Sequence, residues 1–265
     1  MQDNKFKVLL LGDVIGQAGC RTVFFNLKNL LKKKNPDFVI INGENSADGF
    51  GIVPKTAEQL FQSGADVITT GNHVWQKPDG VQLLIDSANI IRPANYPDGA
   101  PGHGYCIIEK RGIKTAVINL EGRESMSNLD CPFRTAKEII KKIKKDSSIH
   151  IIIIDFHAES TSEKESLAHY LDGQVSLIAG THTHIQTADE KILPNGTAYI
   201  TDAGMTGPED SVIGADKETA IQRFLTQMPI KMEIAESALM INGVLAEIDT
   251  ATGKALSIER IYERI

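Results

Sequence analysis

The stretch "FVIINGENS" (Phe38–Ser46) runs four consecutive apolar residues into Asn42, Gly43, Glu44 and Asn45. An unbroken apolar run of this length marks a strand covered on both faces, as in the parallel sheets of layered α/β proteins. Its polar end then lies at the carboxyl edge of the sheet, where open α/β sheets bind their ligands. Other apolar runs end in the same way. "KVLLLGD" closes on Asp13, "DVITTGNH" on Asn72 and His73, "IIIIDFH" on His157, and "VSLIAGTHTH" on His182 and His184. Singly, each residue has a plain structural explanation. Asp13 can cap a helix, His73 or His157 can be a hydrogen-bonded core histidine, and Asn42 and Asn45 tolerate turn geometry. Five strand ends carrying such residues are a different matter, because a layered fold brings those ends together.

The rest of the chain supports that architecture. Apolar runs at Val8–Leu11, Phe38–Ile41, Val67–Ile68, Ala116–Leu120, Ile151–Ile154, Val175–Ala179 and Ala198–Ile200 alternate with amphipathic segments. The segments Gln17–Lys34, Lys55–Ser63, Gly80–Ser87, Thr135–Lys145 and Glu163–Tyr170 are expected to be helices. A βαβα order implies an α/β layered fold. Residues 230–265 alternate apolar and polar around the turn signal "TATGK", so the tail is expected to be an antiparallel meander or hairpin. "PANYPDGAPGHG" (93–104) is expected to be a long loop.

Composition narrows the partners. The 265 residues are 42% hydrophobic and 23% charged, with a formal net charge of -6. Such a charge gives no support for long nucleic acid or an anionic membrane as the main partner. The lysine runs at 32–34 and 141–145 fit solvated helix faces. Three cysteines, Cys20, Cys106 and Cys131, are odd in number and far apart. They suit neither a disulfide framework nor a thiolate zinc knuckle, which points to a cytoplasmic location. The short "VLLL" run is insufficient for a leader or a membrane span. A homo-oligomer remains open.

Besides His73, the donors at the strand ends are two carboxylates, two amides and three imidazoles, with no thiolate. A mixed nitrogen and oxygen set suits manganese, iron or zinc better than calcium. Seven ligands exceed one tetrahedral ion and suit two ions sharing a carboxylate. In "HTH", two histidines two apart would face one pocket if the strand continued through them.

With "GNHVW" (71–75) and "GTHTH" (180–184) in place, the chain resembles the calcineurin-like metallophosphoesterase superfamily. "GDVIG", "GENSADG", "GNHVW", "DFHAE" and "GTHTH" keep the superfamily's motif order. Three departures stand out: Ile15 replaces a histidine of the first motif, Glu44 replaces a bridging aspartate, and Val74 replaces an acid after His73. Together they resemble the YmdB-type branch of dinuclear phosphodiesterases. The resemblance implies one metallophosphoesterase domain over residues 1–265, folded as a four-layer α/β/β/α sandwich of two mixed sheets. It implies two divalent or mixed-valence ions, iron or manganese with zinc as a further option. Asp13, Asn45 and His184 would hold one, Asn72, His157 and His182 the other, and Glu44 would bridge them. It implies in-line attack by a metal-bridging hydroxide on small phosphodiesters such as 2′,3′- or 3′,5′-cyclic nucleotides, with His73 facing the phosphate.

Other features carry less. Trp75 is expected to pack rather than stack on a base, and His103 to sit on the surface. Asn119, Glu121 and Arg123 are expected near the pocket rim, and Asp202 to orient a ligand histidine. Competing classes lack their residues. Val14 stands where a Gly-Asp-Ser hydrolase needs serine, Ile15 where a haloacid-dehalogenase-type phosphatase needs aspartate, and no phosphate-binding P-loop motif occurs. A nucleotide- or phosphate-sensing regulator using the same metal site is the alternative. The retained His73 favours catalysis, since a pure binder has no use for the acid.

Overall fold

The computed structural model describes residues 4–265 and contains two mixed β-sheets packed face to face, each covered by helices. The first sheet is built from β1 (Lys5–Leu11), β2 (Asp13–Val14), β3 (Phe38–Asn42), β4 (Val67–Thr69) and β5 (Ile90–Ile91). The helices α1 (Gly16–Lys34), α2 (Pro54–Ser63) and α3 (Pro78–Asp86) connect these strands. The second sheet takes β6 (Tyr105–Lys110), β7 (Ile113–Glu121), β8 (Ile151–His157), β9 (Leu177–Thr181), β10 (Lys191–Ile192) and β11 (Ala198–Ile200). Its helices are α4 (Pro132–Ile143) and α5 (Thr161–Leu171). The chain then returns to the first sheet through β12 (Met205–Pro208), a thirty-residue excursion carrying α6 (Lys217–Thr226), and the hairpin β13 (Leu239–Asp249) and β14 (Ala255–Arg264).

Strand order is β2-β12-β13-β1-β3-β4-β5 in the first sheet, with β14 beside β13, and β10-β11-β9-β8-β7-β6 in the second. β1, β3, β4 and β5 run parallel, as do β7, β8, β9 and β11. The period-2 alternation of strand side chains separates three cores. Val8, Leu10, Phe38, Ile40, Val117, Ile151, Ile153 and Leu177 face between the sheets. Leu9, Leu11, Val39 and Ile41 face Val23, Leu27 and Leu60 of α1 and α2. Ile152, Ile154 and Phe156 face Ile139, Ile140, Leu167 and Leu171 of α4 and α5. A one-residue slip of any central strand would exchange these two faces, so register is strongly specified. The four-layer α/β/β/α sandwich expected from the sequence is therefore present.

The tail departs from expectation in part. β13 and β14 form the anticipated hairpin, and β13 pairs antiparallel with β1 in the middle of the first sheet. Residues 230–238 do not extend it. They belong to the excursion, pairing Ala215 with Ile234 and Glu209 with Ala238. α6 had no forecast, because its apolar residues Ile221, Phe224 and Leu225 do not face a core and remain exposed. β6 was also missed; it is an edge strand with mixed exposure and lacks an apolar run. Among the described residues, no helix is long and apolar enough to cross a membrane, and the three cysteines are unpaired.

Candidate metal centre

The inward faces of the two sheets change character at their carboxyl ends. Asn42, Thr69, Asn119, Asp155 and Thr181 continue the parity of Ile40, Val67, Val117, Ile153 and Ala179, so the inter-sheet core ends in a polar cluster. All five are 0% exposed. Asp155 accepts hydrogen bonds from Thr69 Oγ1 at 2.5 Å, Thr181 Oγ1 at 2.7 Å and Asn42 Nδ2 at 3.0 Å. Burial raises its pKa to about 6, against the lowering pull of those hydroxyls and of His157. Asn42 is thus a tie between sheets, and Asn119 joins it by accepting from the Thr70 backbone N–H at 3.1 Å.

Above this cluster the candidate residues converge. Glu44 is fully buried, with Oε1 3.2 Å from both His157 Nε2 and His73 Nδ1. Asn72 Oδ1 lies 2.9 Å and His182 Nδ1 3.1 Å from the same His157 Nε2. Donor atoms of Glu44, His157 and His182 all fall within 4.8 Å of one another. Gly71 makes this approach possible, since a Cβ there would sit 2.4 Å from Glu44 Oε2 and from His157 Cδ2. On the other side, Asn45 Nδ2 is 3.3 Å from Asp13 Oδ1, 3.0 Å from Glu44 Oε1 and 3.2 Å from His184 Nε2. The structure thus gathers all eight residues singled out in the sequence into one place.

The outer nitrogen of each ring decides what the inner one can do. Thr181 donates its only hydroxyl hydrogen to Asp155, so it accepts from His157 Nδ1 at 2.9 Å. His182 Nε2 faces Glu159 Oε2 at 3.1 Å, and His184 Nδ1 donates to the Ile213 carbonyl at 2.8 Å. With those protons placed outside, the inner nitrogens are free to present lone pairs, that of His157 once an ion displaces the proton its acidic neighbours favour. Around His157 Nε2 these meet the acceptor atoms of Glu44, Asn72 and His182. Lone pairs 2.9–3.2 Å apart repel unless a positive charge lies among them. Asn45 repeats the pattern, because turning its amide over would aim Oδ1 at Asp13, Glu44 and His184. The donor chemistry therefore fits two cations, one on each side of Glu44.

Titration follows the same logic. Burial pushes Glu44 up, but the imidazoles of His157 and His73 outweigh it and hold the carboxylate well below its usual value. Burial raises Asp13 despite His184 and His157. Burial and the neighbouring His157 lower His182 to about 3, which keeps it neutral and able to ligate. Burial disfavours a charged His157, yet Glu44, Asp13 and Asp155 raise it to about 9. The surroundings of that ring draw positive charge, and a divalent ion would compete with the proton.

Several expectations are corrected. β9 ends at Thr181, and His182 and His184 lie beyond it with φ of 100° and 65°. They do not share a strand face; the left-handed turn sends each ring to a different side of Glu44. Such backbone in non-glycine residues is costly and concentrates at functional sites. Asp202 touches no histidine ring. It accepts from Thr183 N and Oγ1, Lys164 Nζ and Gly204 N, which pins the turn between the two histidines. Asn119 and Glu121 lie buried beneath the site rather than at its rim. Arg123 is exposed, with its backbone N–H on Glu163. Trp75 packs edge-on against Tyr96, 5.4 Å between centroids, and His103 is exposed. Asp155, Thr181 and Glu159 were not foreseen as partners of the histidines. The signal was present in "IIIIDFHAE", where Asp155 lies two residues before His157 on the same strand face.

A family model of YmdB-like proteins matches residues 9–261. The chain is 49% identical over 255 residues to a 2′,3′-cyclic-nucleotide 2′-phosphodiesterase of Bacillus subtilis, covering 96% of each chain. It also resembles two crystal structures, each at a TM-score of 0.91. One is described as a novel phosphatase from Mycoplasma pneumoniae, 37% identical, with 98% of this chain and 94% of that one covered. The other is a hypothetical protein from Thermus thermophilus, 36% identical, covering 98% and 99%. Fold, convergent donor set and these likenesses agree: the chain belongs to the YmdB-like family of calcineurin-like metallophosphoesterases.

Proposed function

We propose that this protein is a metal-dependent phosphodiesterase acting on 2′,3′-cyclic nucleotides, with the 2′ ester as the bond broken and the 3′,5′-cyclic ring as a second substrate. The observation that carries this is the convergence of Glu44, Asn72 and His182 on His157 Nε2 at 2.9–3.2 Å, a cluster of donor atoms that draws positive charge where a phosphate would also bind. The name of the Bacillus subtilis relative supports the substrate class. Asp13, Asn45 and His184 would hold one ion and Asn72, His157 and His182 the other, with Glu44 shared between them. The mixed donor set favours iron or manganese and accommodates zinc. When bound, the ions supply a nucleophilic hydroxide at neutral pH and neutralise charge on the phosphoryl oxygens.

The chain's own residues perform the remaining tasks. Glu159, Thr181 and the Ile213 carbonyl hold the three ligand rings in their working tautomers. His73 Nδ1 lies 2.7 Å from the Asn45 amide; with that amide turned so that Oδ1 would face an ion, its Nδ2 donates to Nδ1 and leaves the Nε2 proton for the pocket that the ring lines. There it donates to a phosphoryl oxygen and passes a proton to O2′ as the P–O2′ bond breaks. A cytoplasmic setting agrees with three unpaired cysteines.

The test is turnover of 2′,3′-cyclic AMP by protein loaded with manganese or iron. His73→Ala should lower kcat by about 10²–10⁴-fold while metal content stays at the wild-type value. Absence of turnover with either metal, across cyclic and linear diesters, would defeat the proposal. Equal nucleotide binding without turnover in both proteins would instead favour the sensing alternative.

A further inference from the structure

Next to the metal centre lies a cavity of about 400 Å³ whose far wall is apolar. Ile15, Ile213, Met232 and Ile234 form it, and Phe50, His73, His182 and His184 line the rest of the cavity. Phosphate chemistry at the metal centre has no use for such a wall. A polar diester such as a glycerol phosphodiester would gain nothing from it, so the wall fits a substrate whose non-phosphate part is flat and apolar. Phe50 is 48% exposed and Ile213 51%, which leaves both side chains open to a ligand.

The wall is held at a set distance from the reacting centre. It belongs largely to the excursion between β12 and β13, closed on itself by Asp216 N to Glu233 O at 2.8 Å and Ala235 N to Gly214 O at 3.0 Å. Ile234 reaches across onto Gly16 and Gly49, where a Cβ would stand 2.4 Å and 3.0 Å from its Cδ1. Ile213 presents its carbonyl to His184 and its side chain to the cavity, at a φ of 50°. A β-branched residue in that conformation is a genuine outlier, tolerated only where surrounding contacts enforce it. One residue thus couples a candidate ligand to the apolar wall. Phe50 lies on the opposite side, its ring edge-on to His73 with centroids 4.9 Å apart.

We infer that this cavity is a nucleobase subsite, in which the base stacks on Phe50 and rests against Ile213 and Ile234 while the cyclic phosphate meets His73. The inference builds on the proposed phosphodiesterase activity and adds the part of the substrate that gives selectivity. The base's polar edge points to the outer rim, where Arg223 and Glu233 stand. A purine, with its larger face, gains more than a pyrimidine.

The test compares 2′,3′-cyclic AMP with ribose 2′,3′-cyclic phosphate, which has the same reacting group and no base. Stacking of one base on an aromatic side chain corresponds to roughly a 5- to 150-fold effect. Wild type should prefer the base-bearing substrate in kcat/KM by that factor, expressed mainly in KM. Phe50→Ala should bring the ratio of the two kcat/KM values close to 1, and Phe50→Trp should restore it. Binding is read separately with 2-aminopurine riboside 3′-monophosphate, whose fluorescence should be quenched by wild type and Phe50→Trp but not by Phe50→Ala. A wild-type ratio near 1, or a ratio that Phe50→Ala leaves intact, overturns the subsite while leaving the phosphodiesterase proposal standing. Turnover of neither substrate overturns the phosphodiesterase proposal itself.

Discussion

The two sides of Glu44 are built differently. On one side, His157 is fully buried at the end of a central strand, and its outer nitrogen is fixed through Thr181 to Asp155. On the other, His184 lies in a left-handed turn, and its outer nitrogen rests on the carbonyl of Ile213 in the excursion. The first side has two imidazoles and an amide. The second has one imidazole, the Asp13 carboxylate and the Asn45 amide, and Ile15 occupies the place of a further histidine in the superfamily pattern. A neutral amide is a weaker donor than imidazole, and the support behind it is shallower. In the proposed site one ion would be held by the rigid meeting of two sheets, and the other by a turn and a loop. Unequal affinities are therefore expected.

Breaking the rigid side should have the largest effect. His157→Ala removes the ring on which Glu44, Asn72 and His182 converge. Turnover should fall by more than about 100-fold, and both ions should bind more weakly, because Glu44 loses its lower pKa along with its partner. Metal titration by calorimetry checks this; loss of only the weaker ion would reverse the assignment of sides.

Asp155→Asn tests the support instead of the ligand. The amide can donate to Thr181, which turns that hydroxyl around and takes away the acceptor for His157 Nδ1. Affinity for the tighter ion should drop by about 10–100-fold, with the weaker ion little changed. The imidazole ¹⁵N shifts of His157 should show the changed tautomer. Equal loss on both sides would mean that Asp155 serves packing alone.

The smallest effect concerns the floor beneath the rigid side. Glu121 pairs with His157 in strand register and is fully buried. The Tyr96 hydroxyl lies beside it without a hydrogen bond of good geometry, and neither carboxylate oxygen has another partner among the described residues. Burial raises it to about 7. The native state thus holds this proton more tightly than the unfolded chain does. The associated stability is present below the ordinary glutamate range and is lost as pH rises through about 7. In metal-free protein, Glu121→Gln should match wild type near pH 5 and exceed it at pH 8, by at most about 3 kcal/mol. Denaturant midpoints at the two pH values read this directly, and no pH dependence in the difference would contradict it.

Legibility in the sequence differed between the same two regions. The parallel strands announced themselves, because burial on both faces demands runs such as "IIII" at 151–154. Their polar ends were equally plain, since a charge at the end of such a run has few structural uses. The excursion was opaque for the opposite reason. Its apolar residues face solvent or a cavity, so they show no period that a buried helix or strand would impose. The left-handed turn at His182 and His184 could not be read from "HTH", because nothing local distinguishes a strand that continues from one that has ended. Asp155 was passed over because it follows the run Ile151–Ile154 directly and stands in the shadow of His157, two residues on.

The central claim is a two-ion site of unequal halves, and metal stoichiometry tests it most directly. Wild-type protein, stripped and reloaded with manganese, should bind two equivalents in two resolved steps. Asn45→Ala should retain the tighter step and lose the weaker one. A single step in wild type, or two unchanged steps in Asn45→Ala, would contradict the account.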